Sequence, residues 1–163
     1  MLAFTPCPDE QDIFWVAWGD QPSIGRIDIA SGNSAEVWNE TGIGFDGIYV
    51  GREKIYCTFS GRMGHYNGEL WCINRVGDPD PKILVAGLDF PGHPFVDWEN
   101  EYIYWTENDG APWGQPEHGG RVCRAKLEDS LPLTVEPLVT ENTGRPQGIA
   151  LDATGKYCLL YTS

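Results

Sequence analysis

Three stretches of this chain, Phe45 to Cys57 (FDGIYVGREKIYC), His93 to Trp105 (HPFVDWENEYIYW) and Pro146 to Cys158 (PQGIALDATGKYC), align at equal length without a gap. An internal repeat constrains a fold more tightly than composition does, because each copy has to bury its apolar face against its neighbour. Each copy opens on a polar or proline-bearing corner and runs through a short, mostly apolar strand. It then turns at Gly51-Arg52-Glu53, Trp98-Glu99-Asn100 or Ala153-Thr154-Gly155 and enters a second, aromatic strand. Short apolar runs separated by Gly, Asn and Asp read as β-hairpins.

Two more strands recur behind the hairpins. Third strands begin Gly25-Arg26-Ile27, Gly68-Glu69-Leu70 and Gly120-Arg121-Val122, and fourth strands fall at 35–38, 82–86 and 136–140. A divergent early copy of the second strand stands at Ile13-Phe14-Trp15-Val16, with a weak first strand near 2–5. Four short antiparallel strands in every 40 to 50 residues or so is the period of a propeller blade. The 20 Gly and 12 Pro supply the turns and argue against helices. The expected fold is therefore all-β: a β-propeller of four-stranded antiparallel blades, about three and a half in this chain. The expected blades are 2–43, 44–91, 92–144 and an incomplete 145–163 within a single partial domain.

Ile103-Tyr104-Trp105-Thr106-Glu107, preceded by His93-Pro94-Phe95-Val96-Asp97-Trp98, resembles the YWTD repeat (low-density lipoprotein receptor class B) of six-bladed propellers. Arg145 to Asp152 is similar to the strand that opens blades in SMP-30/gluconolactonase and strictosidine-synthase-like propellers. This resemblance implies a six-bladed ring when completed. Three to four blades cannot close such a ring, so it also implies that a second chain, a second copy or a second half supplies the rest. The SMP-30 likeness further implies a divalent cation on the axis. The matching corner positions are Asp46, Pro94 and Gln147, of which only Asp46 fits, so the expectation is no cofactor, with Asp46 as the sole metal ligand if there is one.

Charge removes other classes. With 24 acidic and 11 basic side chains the formal net charge is −13, which disfavours nucleic acid and anionic membrane surfaces as partners. No apolar run is long enough to span a bilayer. Cys57 and Cys158 hold the same repeat position, Cys72 and Cys123 lie in third strands, and five cysteines cannot all pair. They read as buried reduced thiols of a cytoplasmic protein.

In a propeller the connections between fourth and first strands and between second and third strands emerge together around the axis. The second-to-third loops run from Phe59 to Gly68 and from Glu107 to Gly120, longer than a hairpin needs. His65, His93 and His118 all fall in these connections, as do Phe45, Asp46, Arg62, Tyr66, Trp113 and Gln147. The expected function is binding of a small, partly apolar organic molecule at this face. The three histidines are candidate acid/base groups of a cyclising, condensing or hydrolytic enzyme, and the other six residues are candidate ligand contacts. The alternatives are a protein-interaction propeller of the YWTD type and a metal-dependent, lactonase-like hydrolase.

Overall fold

A computed structural model of the chain describes residues 2–6, 11–17, 21–40, 44–60, 67–108, 120–140, 144, 146–152 and 158–162. These form antiparallel strands and no helix. The first sheet pairs β1 (Leu2–Pro6), β2 (Asp12–Ala17), β3 (Ser23–Asp28) and β4 (Ser34–Asn39) in chain order. The second pairs β5 (Phe45–Val50), β6 (Lys54–Phe59), β7 (Gly68–Asn74) and β8 (Lys82–Leu88) in the same way. The third pairs β9 (Phe95–Asp97), β10 (Tyr102–Glu107), β11 (Arg121–Lys126) and β12 (Val135–Val139), and a two-stranded sheet joins β13 (Pro146–Leu151) to β14 (Cys158–Thr162). This is the meander of propeller blades, and the chain is a partial β-propeller.

The blades stack face to face. Phe14, Val16 and Ile24 of the first sheet share a core with Phe45, Ile48, Ile55, Cys57 and Ile73 of the second. The opposite face of the second sheet (Tyr56, Leu70, Leu84, Val85) meets Val96, Ile103, Trp105 and Ala125 of the third. Tyr104 and Val122 then meet Ile149 of the fourth sheet. Each middle sheet is covered on both sides, so its second strand cannot alternate apolar with polar. From Ile55 to Phe59 and from Ile103 to Glu107 every residue is buried.

The repeat is gapless in sequence, yet its hairpins pair differently. Ile48, Val96 and Ile149 are equivalent, as are Cys57, Trp105 and Cys158. Ile48 stands opposite Cys57, but Val96 pairs with Ile103 and Ile149 with Leu160, displacements of two residues in opposite directions. A shift of two leaves every side chain on its original face, so the buried pattern survives the slip.

The end of β10 holds a buried acid. Glu107 is only 1% exposed. One carboxylate oxygen accepts the Trp105 indole N–H at 3.0 Å. The other accepts the Asp89 amide and Arg121 Nη2, each at 2.8 Å. A buried charge is tolerated only when paired and hydrogen-bonded, and here every donor belongs to a different element. Asp89 lies in the connection between β8 and β9, so Glu107 fastens the blade-to-blade crossing to the third sheet. Asn108 N–H adds a bond to the Asp89 carbonyl at 2.9 Å. Asp97 does similar local work at the β9–β10 turn, accepting from the amides of Glu99 and Asn100 at 3.1 Å each.

Cys57, Cys72 and Cys123 are free and buried. Burial pushes the Cys57 and Cys72 thiols up, and Cys123 to about 12, which leaves all three as neutral packing groups. Cys72 and Cys123 share a strand type but not a position, because Trp71, opposite Cys57, is the counterpart of Cys123, opposite Trp105.

Replacing Glu107 with alanine removes the acceptor of one buried donor, the Trp105 indole N–H, and of two part-buried ones, the Asp89 amide and Arg121 Nη2. We expect Glu107→Ala to cost about 2–4 kcal/mol in urea unfolding, and Glu107→Gln, which retains acceptor capacity and leaves Arg121 beside the Asp89 carboxylate at 3.6 Å, about 1 kcal/mol. A loss below about 1 kcal/mol for the alanine variant would contradict this role.

Candidate functional site at the inner corners

The first strand of each blade lies innermost, and its start faces the end of the second strand, as the pairing of Phe45 with Phe59 shows. Both long loops named from sequence therefore depart from the end of the sheets where Asp46, His93 and Gln147 lie. His65, His118, Arg62, Tyr66 and Trp113 fall outside the described residues.

Asp46 and Gln147 hold the same repeat position, and both are β-bulges. Phe45 pairs with Phe59 and Gly47 with Thr58, which leaves Asp46 unopposed. Pro146 pairs with Thr162 and Gly148 with Tyr161, which leaves Gln147 unopposed. A bulge releases a backbone unit from the ladder and re-aims its side chain. The released Gln147 carbonyl accepts the His93 amide at 3.0 Å, joining the third blade to the fourth. On the other side the Thr58 hydroxyl donates to the Gly92 carbonyl at 2.9 Å, joining the second blade to the third, while Gly92 N–H donates to Thr106 O at 2.7 Å.

Only glycine allows this approach. A Cβ on Gly92 would stand 2.3 Å from Thr106 Oγ1 and 2.6 Å from the Gln147 carbonyl oxygen, and one on Gly47 would stand 2.5 Å from His93 Cα and 3.1 Å from its ring. The His93 imidazole thus lies against the strand that carries Asp46. Near it the buried Thr106 hydroxyl finds no hydrogen-bond partner among the described residues.

Burial moves both titratable groups toward their neutral forms. It raises Asp46 from 3.8 to about 6, opposed by hydrogen bonds from the Ser60 hydroxyl and amide. It lowers His93 below its ordinary 6.5. A carboxyl poised near pH 6 and a neutral imidazole are suited to exchanging protons near neutrality. Ser60 escaped the sequence reading; its signal was its place directly after the second strand, across from the corner that opens the blade.

Phe45 requires correction. Expected in a loop at the mouth, it is the first residue of β5 and 1% exposed. Its ring packs 4.3 Å from Phe59 and 5.8 Å from Trp38, inside the core between the first two blades. An aromatic residue at the start of an inner strand meets the preceding blade before it meets solvent.

The corner does not fit the axial cation implied by the SMP-30 likeness. Pro94 has no side-chain donor, Gln147 offers an amide, and the one carboxylate, Asp46, is bonded to Ser60 and shifted toward its protonated form. Among the described residues no three of His, Cys, Asp and Glu come together.

Two adjoining clefts of about 560 and 580 Å³ open at the other end of the seam between the second and third blades, sharing Lys54 and Trp98. Their polar groups are largely satisfied. Lys54 donates to Asn74 at 2.5 Å, Lys82 lies 3.3 Å from Asp80, and the Trp98 indole donates to Tyr49 at 3.1 Å. Trp98 there fastens two blades, and the groups that burial perturbs at these clefts, Tyr49, Tyr56 and Cys72, are all pushed up and held in their neutral forms.

No protein-family model matches the chain. Solved structures do. TolB from Acinetobacter baumannii superposes with a TM-score of 0.71 at 16% identity, over 98% of this chain and 37% of that one. A candidate 6-phosphogluconolactonase from Bacteroides uniformis gives 0.62 at 11% identity, over 96% and 46%. A prolyl endopeptidase gives 0.60 at 15%, over 99% and 27%. At these identities the likeness establishes the β-propeller fold alone. The chain spans less than half the length of each of these proteins.

The two shifts act on stability with opposite sign. Asp46, raised in the fold, contributes stability that is complete below pH 3.8 and lost as pH rises through about 6. His93, lowered in the fold, contributes stability that is present above pH 6.5 and lost as pH falls below it. Asp46→Asn is therefore expected to be more stable than the parent at pH 8 by ~1–3 kcal/mol. Its stability should rise from pH 5 to pH 7, whereas that of His93→Gln should fall over the same range. Denaturation midpoints across pH test this, and parallel profiles for the two variants would refute it.

Proposed function

We propose that the chain is part of a six-bladed propeller of the YWTD or SMP-30-like kind that binds a small, partly apolar organic molecule at the axial end bearing Asp46, His93 and Gln147. The observation that carries this reading is the pair of equivalent bulges at Asp46 and Gln147, with His93 in the blade between them. Bulges of this sort re-aim side chains beside binding sites, and three successive blades here bring a carboxyl, an imidazole and an amide to one end of the sheets. Donors and acceptors of three kinds suit a ligand with several oxygen functions, and its partly apolar body belongs to the same reading. Arg62, His65, Tyr66, Trp113 and His118 would form the rim on the two long loops.

The same groups support acid/base chemistry. His93, neutral at physiological pH, takes a proton; Asp46, titrating near 6, gives or takes one. Hydrolysis, cyclisation and condensation each need such an exchange at an oxygen. Lactones enter as a probe class because a candidate 6-phosphogluconolactonase is among the proteins that share the fold.

Ligand-observed NMR with sugar lactones, hydroxy acids and aromatic acids tests the reading. We expect saturable binders whose affinity falls tenfold or more in Asp46→Ala, His93→Ala and Gln147→Ala. Binders indifferent to all three, and to His65→Ala and His118→Ala, would place the site elsewhere.

A further inference from the structure

The seam between the second and third blades is filled differently from the seam between the first and second, although both join four-stranded sheets. Register gives the correspondence. Phe14, paired with Arg26, is equivalent to Tyr56, paired with Cys72. Arg75 and Leu127 are equivalent as well, since each follows a third strand and donates its amide to the carbonyl of Glu53 or Glu101, at 2.9 and 2.8 Å. In the first seam the Arg75 guanidinium lies 5.9 Å from the centre of the Phe14 ring and donates to the Arg52 carbonyl at 3.0 Å. Arg26 lies on the same face of the first sheet as Phe14. In the second seam both arginine positions hold shorter, uncharged side chains, Cys72 and Leu127, and these line the cleft of about 580 Å³.

The other walls of the double cleft suit the group that the first seam holds. Trp98 is half exposed, its ring 5.9 Å from that of Tyr56 and 6.5 Å from that of Tyr49. A cation is attracted to such ring faces, and a planar, weakly hydrated guanidinium stacks on them. Leu133 N–H donates to the Leu84 carbonyl at 2.8 Å, which draws the β11–β12 connection over the second sheet and sets Glu128 and Asp129 on the lining. Lys54 bonds Asn74, Lys82 faces Asp80 and Glu101 faces Lys126. That leaves Glu53, Glu128 and Asp129 against Arg52, in a chain of net charge −13, and the balance favours a cation.

We infer that the double cleft between the second and third blades is a binding site for a small guanidinium compound. Its planar cation lies on Tyr56 and Trp98 as Arg75 lies on Phe14, with Glu128 and Asp129 accepting its N–H groups. The site stands at the opposite end of the sheets from Asp46 and His93 and is independent of them.

The probe is agmatine, titrated into the 163-residue chain while the Trp98 indole N–H is followed by NMR, with benzoate as the anionic counterpart. We expect saturable shifts with agmatine and none with benzoate. Leu127→Arg, which supplies from the chain the guanidinium that Arg75 supplies in the first seam, should weaken agmatine at least tenfold. Glu128→Gln/Asp129→Asn alters only exposed side chains. It should keep the unfolding midpoint and weaken agmatine at least threefold. Three results would overturn the inference: no saturable shift, equal binding to either variant, or saturable binding of benzoate at Trp98 in place of agmatine.

Discussion

A sheet whose second strand is apolar on both sides cannot end at a surface, and the rest of the structure depends on that constraint. Ile55 to Phe59 and Ile103 to Glu107 are buried at every residue, and only a stack of sheets, each lying between two others, removes both faces of such a strand from water. A propeller satisfies this requirement by repetition. Each blade covers its neighbour, as the burial of Val85 on the outer strand of the second sheet against the third sheet records.

The constraint leaves little room for polar groups, and Glu107 and Thr58, both buried near strand ends, are hydrogen-bonded to the neighbouring elements. Glu107 draws its donors from the same strand, the neighbouring strand and the incoming linker, which turns a costly buried charge into a clasp between blades. Thr58 serves the same purpose without charge, its hydroxyl bonding the Gly92 carbonyl of the next blade. At the inner corners the rule relaxes. Bulges free backbone units there, and Asp46 and His93 remain titratable although burial shifts both.

The hairpin repeat made the blades and their strand order legible from sequence, because turn signals and apolar runs recur at fixed spacing. Register was not, since displacements of two residues preserve the face pattern and leave no trace in hydrophobicity. Phe45 was misplaced because it looked like part of an aromatic loop, while its surroundings, Trp38 and Phe59, come from a different blade and a different strand. At the corner, Asp46 and Gln147 were legible as equivalent positions, but not as bulges. A bulge is a property of pairing, which no single segment encodes. Ser60 and Thr106 were missed for the same reason: their significance lies in what stands across the sheet.

Function in a repeat fold has to arise from departures between copies, since what the copies share is spent on packing. In the gapless sequence alignment the corner position that holds Phe45 in the second blade holds His93 in the third and Pro146 in the fourth. Phe45 fills the core, Pro146 is buried, and His93 keeps an imidazole half-buried against Gly47. In register Pro91 faces Glu107 as Phe45 faces Phe59, so the position that holds Asp46 and Gln147 in the flanking blades holds Gly92 in the third, and the blade that supplies the imidazole has no side chain there. A ring of identical corners would present one chemical group several times over. The described corners carry instead a carboxyl, an imidazole and an amide in sequence, on strands held close by glycine, and the proposed binding function rests on that asymmetry.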